Sequence, residues 1–104
     1  MMKTMKIDSA SVAPDANGQI VLAAGERTAM RMWRDERPGA AKPATTRDYE
    51  TVGYVLRGRA ILHVEDQQIM LGAGDSWLVP ADASHTYEIL ETFSAVEATA
   101  PPAR

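Results

Sequence analysis

Residues 49–88 read YETVGYVLRGRAILHVEDQQIMLGAGDSWLVPADASHTYE. Glu50–Arg57 is rich in Val and Tyr and reads as a strand, with Gly58 at its turn. Arg59–Glu65 alternates, with Ala60, Leu62 and Val64 on one face and Ile61, His63 and Glu65 on the other. Asp66-Gln67 turns the chain, and Gln68–Leu71 runs back as a short strand. Gly72-Ala73-Gly74-Asp75 is a second tight turn. Ser76–Val79 is a strand that Pro80 ends, because proline cannot donate to the ladder.

Outward from this stretch the same grammar continues. Downstream, His85–Leu90 and Phe93–Ala98 read as two strands separated by Glu91-Thr92. Upstream, Gln19–Ala23 is apolar and β-branched, and Asn17-Gly18 before it is turn chemistry. Thr28–Arg34 has period-2 spacing, with Met30 and Met32 on one face and Ala29, Arg31 and Trp33 on the other. Met5–Ser9 is a weaker strand candidate. Asp35–Ala44 carries two prolines and a glycine and reads as a loop leading to a rim. About eight short strands without a helix indicate an all-β antiparallel barrel or jelly roll.

Composition bounds the partners. The 104 residues make one domain, and a chain this short gains from a subunit contact. A net charge of −3 argues against a nucleic-acid partner, which calls for a clustered basic surface. Arg27, Arg31, Arg34 and Arg37 sit among Glu26, Asp35 and Glu36, so that region reads as a solvated, charge-paired face. Without cysteine there is no disulfide, thiolate nucleophile or zinc-thiolate site. MMKTMKIDSA has no apolar stretch of the secretory kind, and no run reaches the ~18–20 residues of a membrane span. No membrane partner and a cytoplasmic location are the expectations. No nucleophile elbow, phosphate loop or His-Glu-x-x-His zinc motif is present.

Two spaced motifs carry a family resemblance. Gly39 is followed by five residues, then Thr45-x-Arg47, three residues on by Thr51, and six more by Gly58. Gly74 is followed by five residues, Pro80-x-Asp82, two residues, His85, three residues and Ile89. Both spacings, and the phrases YVLRGRAIL and GDSWLVPADASH, resemble the small single-domain cupins. The resemblance implies a cupin double-stranded β-helix, or jelly-roll barrel, over about residues 19–98. The arm 1–18 and the tail 99–104 flank that core within a single domain. It also implies a dimer, paired through an outer sheet and an exchanged terminal segment. Met1–Ser11 and Thr28–Arg34 are the segments expected at that contact, since an open edge strand invites pairing.

The departures from the motifs bear on chemistry. The family binds metal with two histidines, a glutamate and the second-motif histidine. Here the first three positions are Thr45, Arg47 and Thr51, and His85 alone remains. A first-row metal wants several imidazole or carboxylate donors. A guanidinium offers no lone pair and repels a cation. No metal or other cofactor is therefore expected. A bulge that slips the register would leave one divalent-metal set open, His85 with Asp48 or Glu50.

By the resemblance, Thr45, Arg47, Thr51 and His85 face one pocket. Strand alternation adds Gly53, Val55, Tyr87 and Ile89. Gly53 is expected to leave room for a ligand. A small polar or anionic molecule, such as a carboxylate, is the expected occupant, bound by Arg47, switched by His85 and oriented by the threonines. A bland alternative has Arg47 pairing with Asp48 or Glu50 and His85 satisfying a rim carbonyl. A second functional class is a metal-dependent cupin enzyme with altered ligands, of dioxygenase, isomerase or decarboxylase type. His63 alternates away from Leu62 and Val64 and belongs on the outer face. Trp33, Met30 and Met32 suit a cavity lining, a core or a subunit contact.

Overall fold

The computed structural model describes residues 3–103. Six strands form in chain order: β1 (Gln19–Ala24), β2 (Ala29–Glu36), β3 (Glu50–Val64), β4 (Gln67–Gly72), β5 (Ser76–Val79) and β6 (His85–Ala100). Among the described residues the one helical element is a single 3-10 turn at Ser9–Ser11, capped by the Asp8 carboxylate, which accepts from Ala10 N. All pairings are antiparallel, in the order β1-β2-β6-β3-β4, with β5 added to β3.

The count is six rather than about eight for an instructive reason. The expected break at Gly58 does not end a strand, nor does Glu91-Thr92. β3 and β6 run continuously past these points and shift register against each other between Val55 and Ala60. Gly58 takes φ +87°, and a Cβ there would lie 2.8 Å from the Thr92 carbonyl carbon and 2.9 Å from the Phe93 Cα. Only glycine tolerates both that dihedral and that approach. The punctuation in the sequence therefore marks a bulged bend in two long strands, of the kind that turns corners in barrels. Residues 5–8 are not a strand, and the adjoining 3-10 turn is tied to β2 by Arg34 Nη2, which donates to Ser9 O at 2.7 Å.

The bend divides the molecule into two halves sharing β3 and β6. In one, Glu50–Val55 pairs with β5 and with Ala95–Ala100, and β2 and β1 extend the layer. In the other, Arg59–Val64 pairs with β4 and with His85–Glu91. Residues 37–49 close the open side of β6 through isolated bridges, Gly39 to Ile89 and Thr45 to His85. The loop was expected at Asp35–Ala44, but Asp35 and Glu36 belong to β2; the rest is a rim held by single bridges, because proline and glycine prevent a full ladder.

The core lies between the halves. Val55, Leu62, Leu71, Val79 and Phe93 are fully or almost fully excluded from water, and Trp33, Tyr87 and Ile89 pack against them. Alternation fixes this: Thr51, Gly53 and Val55 point inward, while Glu50, Val52, Tyr54 and Leu56 point outward. Asp48 and Glu50 are exposed, and the inward position of Thr51 turns Glu50 away from the cavity, so the slipped register does not occur. The described part of the tail is docked: β6 continues through Thr99 and Ala100, and Ala103 N donates to Thr99 Oγ1 at 2.8 Å.

Candidate functional site

A cavity of about 830 Å³ opens between β1, β2, the N-terminal half of β6 and the 37–49 segment. That volume lies in the usual range for small-molecule sites. Of the eight residues expected there by motif and alternation, Thr45, Arg47, His85, Tyr87 and Ile89 line it. Thr51 does not; it is buried in the ladder between Val79 and Thr99. Gly53 does not either. The space above it is taken by Trp77, whose Cζ3 would lie 2.6 Å from a Cβ at that position. Gly53 thus makes room for an indole, and not for a ligand. Val55 is fully buried in the core, whereas Ile89 lines the cavity.

β2 adds two residues. Arg31 and Trp33 share the inward face of the strand and line the cavity. Arg31 was expected on a solvated face, yet it is part-buried and ion-paired through Nε with the Glu97 carboxylate, which is itself buried. Arg31 Nη2 also donates to Tyr49 Oη at 3.2 Å, and its guanidinium carbon sits 5.6 Å from the Tyr49 ring centre. Arg31 and Glu97 are direct cross-strand neighbours, so the register of β2 on β6 makes the pair. The period-2 spacing that set Arg31 beside Trp33 held this signal, as did Phe93, Ala95 and Glu97 in β6.

The electrostatics follow from burial. Desolvation raises the Glu97 carboxyl above its ordinary value, against the opposing pull of Arg31 and a smaller one from His85. Burial acts to lower Arg31, but Glu97 and Tyr49 outweigh it, and the guanidinium is held firmly charged. Tyr87 is pushed well above the ordinary phenol value, first by desolvation and then by Glu97, while the hydrogen bond from Trp77 works the other way.

Trp33 and Tyr87 line the cavity, and Trp77 backs them from the core. Trp77 Nε1 donates to Tyr87 Oη at 3.0 Å. Tyr87 meets Trp33 edge-on at a centroid distance of 4.6 Å, and His85 at 5.9 Å. The indole Nε1 of Trp33 is buried and has no hydrogen-bond partner among the described residues.

His85 is fixed from two sides. Its backbone exchanges both hydrogen bonds with Thr45, at 2.9 and 3.0 Å. Its Nδ1 lies 2.9 Å from the carbonyl oxygen of Ala83. His63 is on the outer face as alternation requires, with Nε2 3.2 Å from a Glu88 carboxylate oxygen.

The charged lining is mostly basic. Arg31, Arg37, Lys42 and Arg47 line the cavity, against Asp15 and Glu36 as the only carboxylates among the described lining residues. Arg37, Lys42 and Arg47 make no ion pair among the described residues, so Arg47 does not pair with Asp48 or Glu50. The motif position at which the resemblance implies a metal ligand carries a guanidinium with no ion pair among the described residues. Among the described residues no three His, Cys, Asp or Glu side chains gather as a metal set. A donor set of Thr45, Arg47 and His85, with Thr51 turned into the ladder, does not fit a first-row metal.

A family model described as a cupin domain matches residues 33–98. Among solved structures, a RmlC-like cupin from Shewanella frigidimarina superposes with a TM-score of 0.83 at 20% identity, covering 98% of this chain and 94% of that one. KdgF from Halomonas sp. gives 0.81 at 18% identity, covering 96% and 94%. A mutant of the Bacillus subtilis oxalate decarboxylase OxdC gives 0.76 at 18% identity, covering 96% of this chain but 30% of that one. At these identities the likeness carries the fold. No curated protein matches the sequence. Among the described residues no helix is long and apolar enough to cross a membrane.

Proposed function

The chain belongs to the cupin family, and from that premise we propose that its barrel binds a small anionic molecule, of carboxylate class, without a conventionally held metal. The observation that carries this is the cation excess around one cavity, with Arg47 unpaired where relatives place a ligand to an ion. Arg47 makes the charged hydrogen bonds. Arg31, anchored by Glu97, presents further donors from the floor. The unpartnered N–H of Trp33 adds a donor that an acceptor oxygen of the ligand satisfies. Calorimetric titration of small carboxylic acids into the wild type and into Arg47→Ala tests it. Tight binding by the first and at least about ten-fold weaker binding by the second is expected, as loss of a charge-assisted bond implies. Equal affinity overturns it.

One observation favours a second reading. His85 Nε2 has no hydrogen-bond partner among the described residues, which also suits a metal ligand. That reading is a metal-dependent cupin enzyme, and stoichiometric iron, manganese, nickel or zinc in elemental analysis of the purified protein would establish it.

We further infer that two copies pair through the outer face of β3 and β5. Val52, Tyr54, Leu56 and Leu78 project there, each about half exposed, and Val52 sits directly opposite Leu78. An apolar row of this size on a small domain gains from a self-complementary contact. β2 is less suited, because it lies between β1 and β6 and has no open edge. The described part of the N-terminal arm is tied by Arg34 to its own barrel.

A further inference from the structure

We propose that the cavity selects carboxylates carrying a hydroxyl group on the neighbouring carbon, with His85 Nε2 accepting that hydroxyl while Arg47 holds the carboxylate. This rests on the anion-binding reading and narrows its ligand class.

The tautomer of His85 carries the argument. A backbone carbonyl only accepts, so the ring nitrogen 2.9 Å from Ala83 O must be the one bearing hydrogen. The neutral ring then presents a bare lone pair at Nε2. Ala83 is buried, and its own N–H donates to Pro80 O at 3.3 Å, so the carbonyl that sets the tautomer is held by the loop. The paired backbone bonds to Thr45 fix the main chain at His85, and the Nδ1 bond to Ala83 O and the edge-on Tyr87 ring orient the imidazole.

The charged lining groups are mostly donors: Arg31, Arg37, Lys42 and Arg47. Trp33 Nε1 is a further donor without a partner. A simple carboxylate answers these and leaves the His85 lone pair unmatched. A hydroxyl beside the carboxylate supplies the missing donor. Arg47 lies two residues beyond Thr45, the residue bridged to His85, and Thr45, Arg47 and His85 all line the one cavity. Sites built to hydrogen-bond a hydroxyl reject the analogue lacking it more strongly than apolar pockets reject a size change.

The experiment compares lactate with propionate and malate with succinate, by calorimetry on the full chain. Wild type is expected to favour the hydroxy acid by at least about five-fold, the order of one net hydrogen bond. In His85→Phe the preference should collapse to near unity while carboxylate binding persists. In Arg47→Ala both members of each pair should weaken together. Wild type binding all four acids without preference overturns the hydroxyl assignment and leaves the anion reading standing. Binding none of them overturns both. Long-range proton–nitrogen NMR of His85 gives a readout independent of any variant's folding. A hydrogen on Nδ1 is expected, and a hydrogen on Nε2 alone in the neutral ring overturns the proposal.

Discussion

Gly53 lies beneath the Trp77 ring, so closely that any Cβ at 53 would overlap the indole. The two residues are direct cross-strand partners in β3 and β5, and Trp77 in turn donates to Tyr87. Gly53→Ala must therefore displace the indole and disturb the Tyr87 hydrogen bond. A loss of about 1–3 kcal/mol is expected, the range of overpacking in a filled core. Chemical denaturation reads it, and Gly53→Ala combined with Trp77→Leu should recover part of the loss.

Gly58 tests the bend. Its dihedral and the backbone of Thr92 and Phe93 both forbid a side chain. Gly58→Ala should cost more than the ~1 kcal/mol usual for left-handed strain, because rigid backbone rather than a flexible side chain blocks the Cβ. A thermal midpoint within a degree of wild type would show that β3 does not need glycine there.

Arg31 and Glu97 behave as a unit. Glu97→Ala leaves a part-buried guanidinium uncompensated, and a loss of roughly 3–5 kcal/mol is expected. Replacing both, as Arg31→Met with Glu97→Leu, should restore most of the stability. The double-mutant cycle is the measurement, and additive losses would show the pair to be uncoupled.

The pH dependence follows from the Glu97 shift. Its folded value is raised above the ordinary 4.5, chiefly by desolvation. Its contribution to stability is therefore fully present below that ordinary value and is lost as pH rises through the folded one. Stability of Glu97→Gln should lack this fall across the mildly acidic range above 4.5. Urea midpoints at several pH values decide it, and identical slopes in both proteins would contradict it.

Self-association is checked at the β3–β5 face. Wild type should run as a dimer in light scattering, and Tyr54→Glu with Leu78→Glu as a monomer that keeps its fold. Both side chains point outward, so neither substitution enters the core. An unchanged mass in the double variant would place any contact elsewhere.

Much of the barrel was readable because its alternation is regular. Ala60, Leu62 and Val64 gave the inward face of β3, and the two motifs gave the family. The strand count was not readable, since a glycine that bends a paired strand and a glycine that ends one look alike locally. Gly53 was misassigned because its neighbour is Trp77 in another strand, and one residue's smallness does not say which group fills the space. Arg31 reads as a solvated charge because its sequence neighbours are charged, although its cross-strand partner Glu97 lies far away in the sequence. Asp82, in the second motif, adopts φ +67°, a left-handed conformation natural to glycine and tolerated by Asp.

The rim segment 37–49 is fastened differently from everything around it. Strands β3 and β6 grip each other along almost their whole length, whereas this segment touches β6 at Gly39 and Thr45 and holds Asp82 N through Arg47 O. Breathing of the vessel is thereby confined to one lip. That lip bears Arg47, so the charge that greets an incoming anion rides on the part most free to yield, and occupancy should slow amide exchange there before it is felt in the ladder.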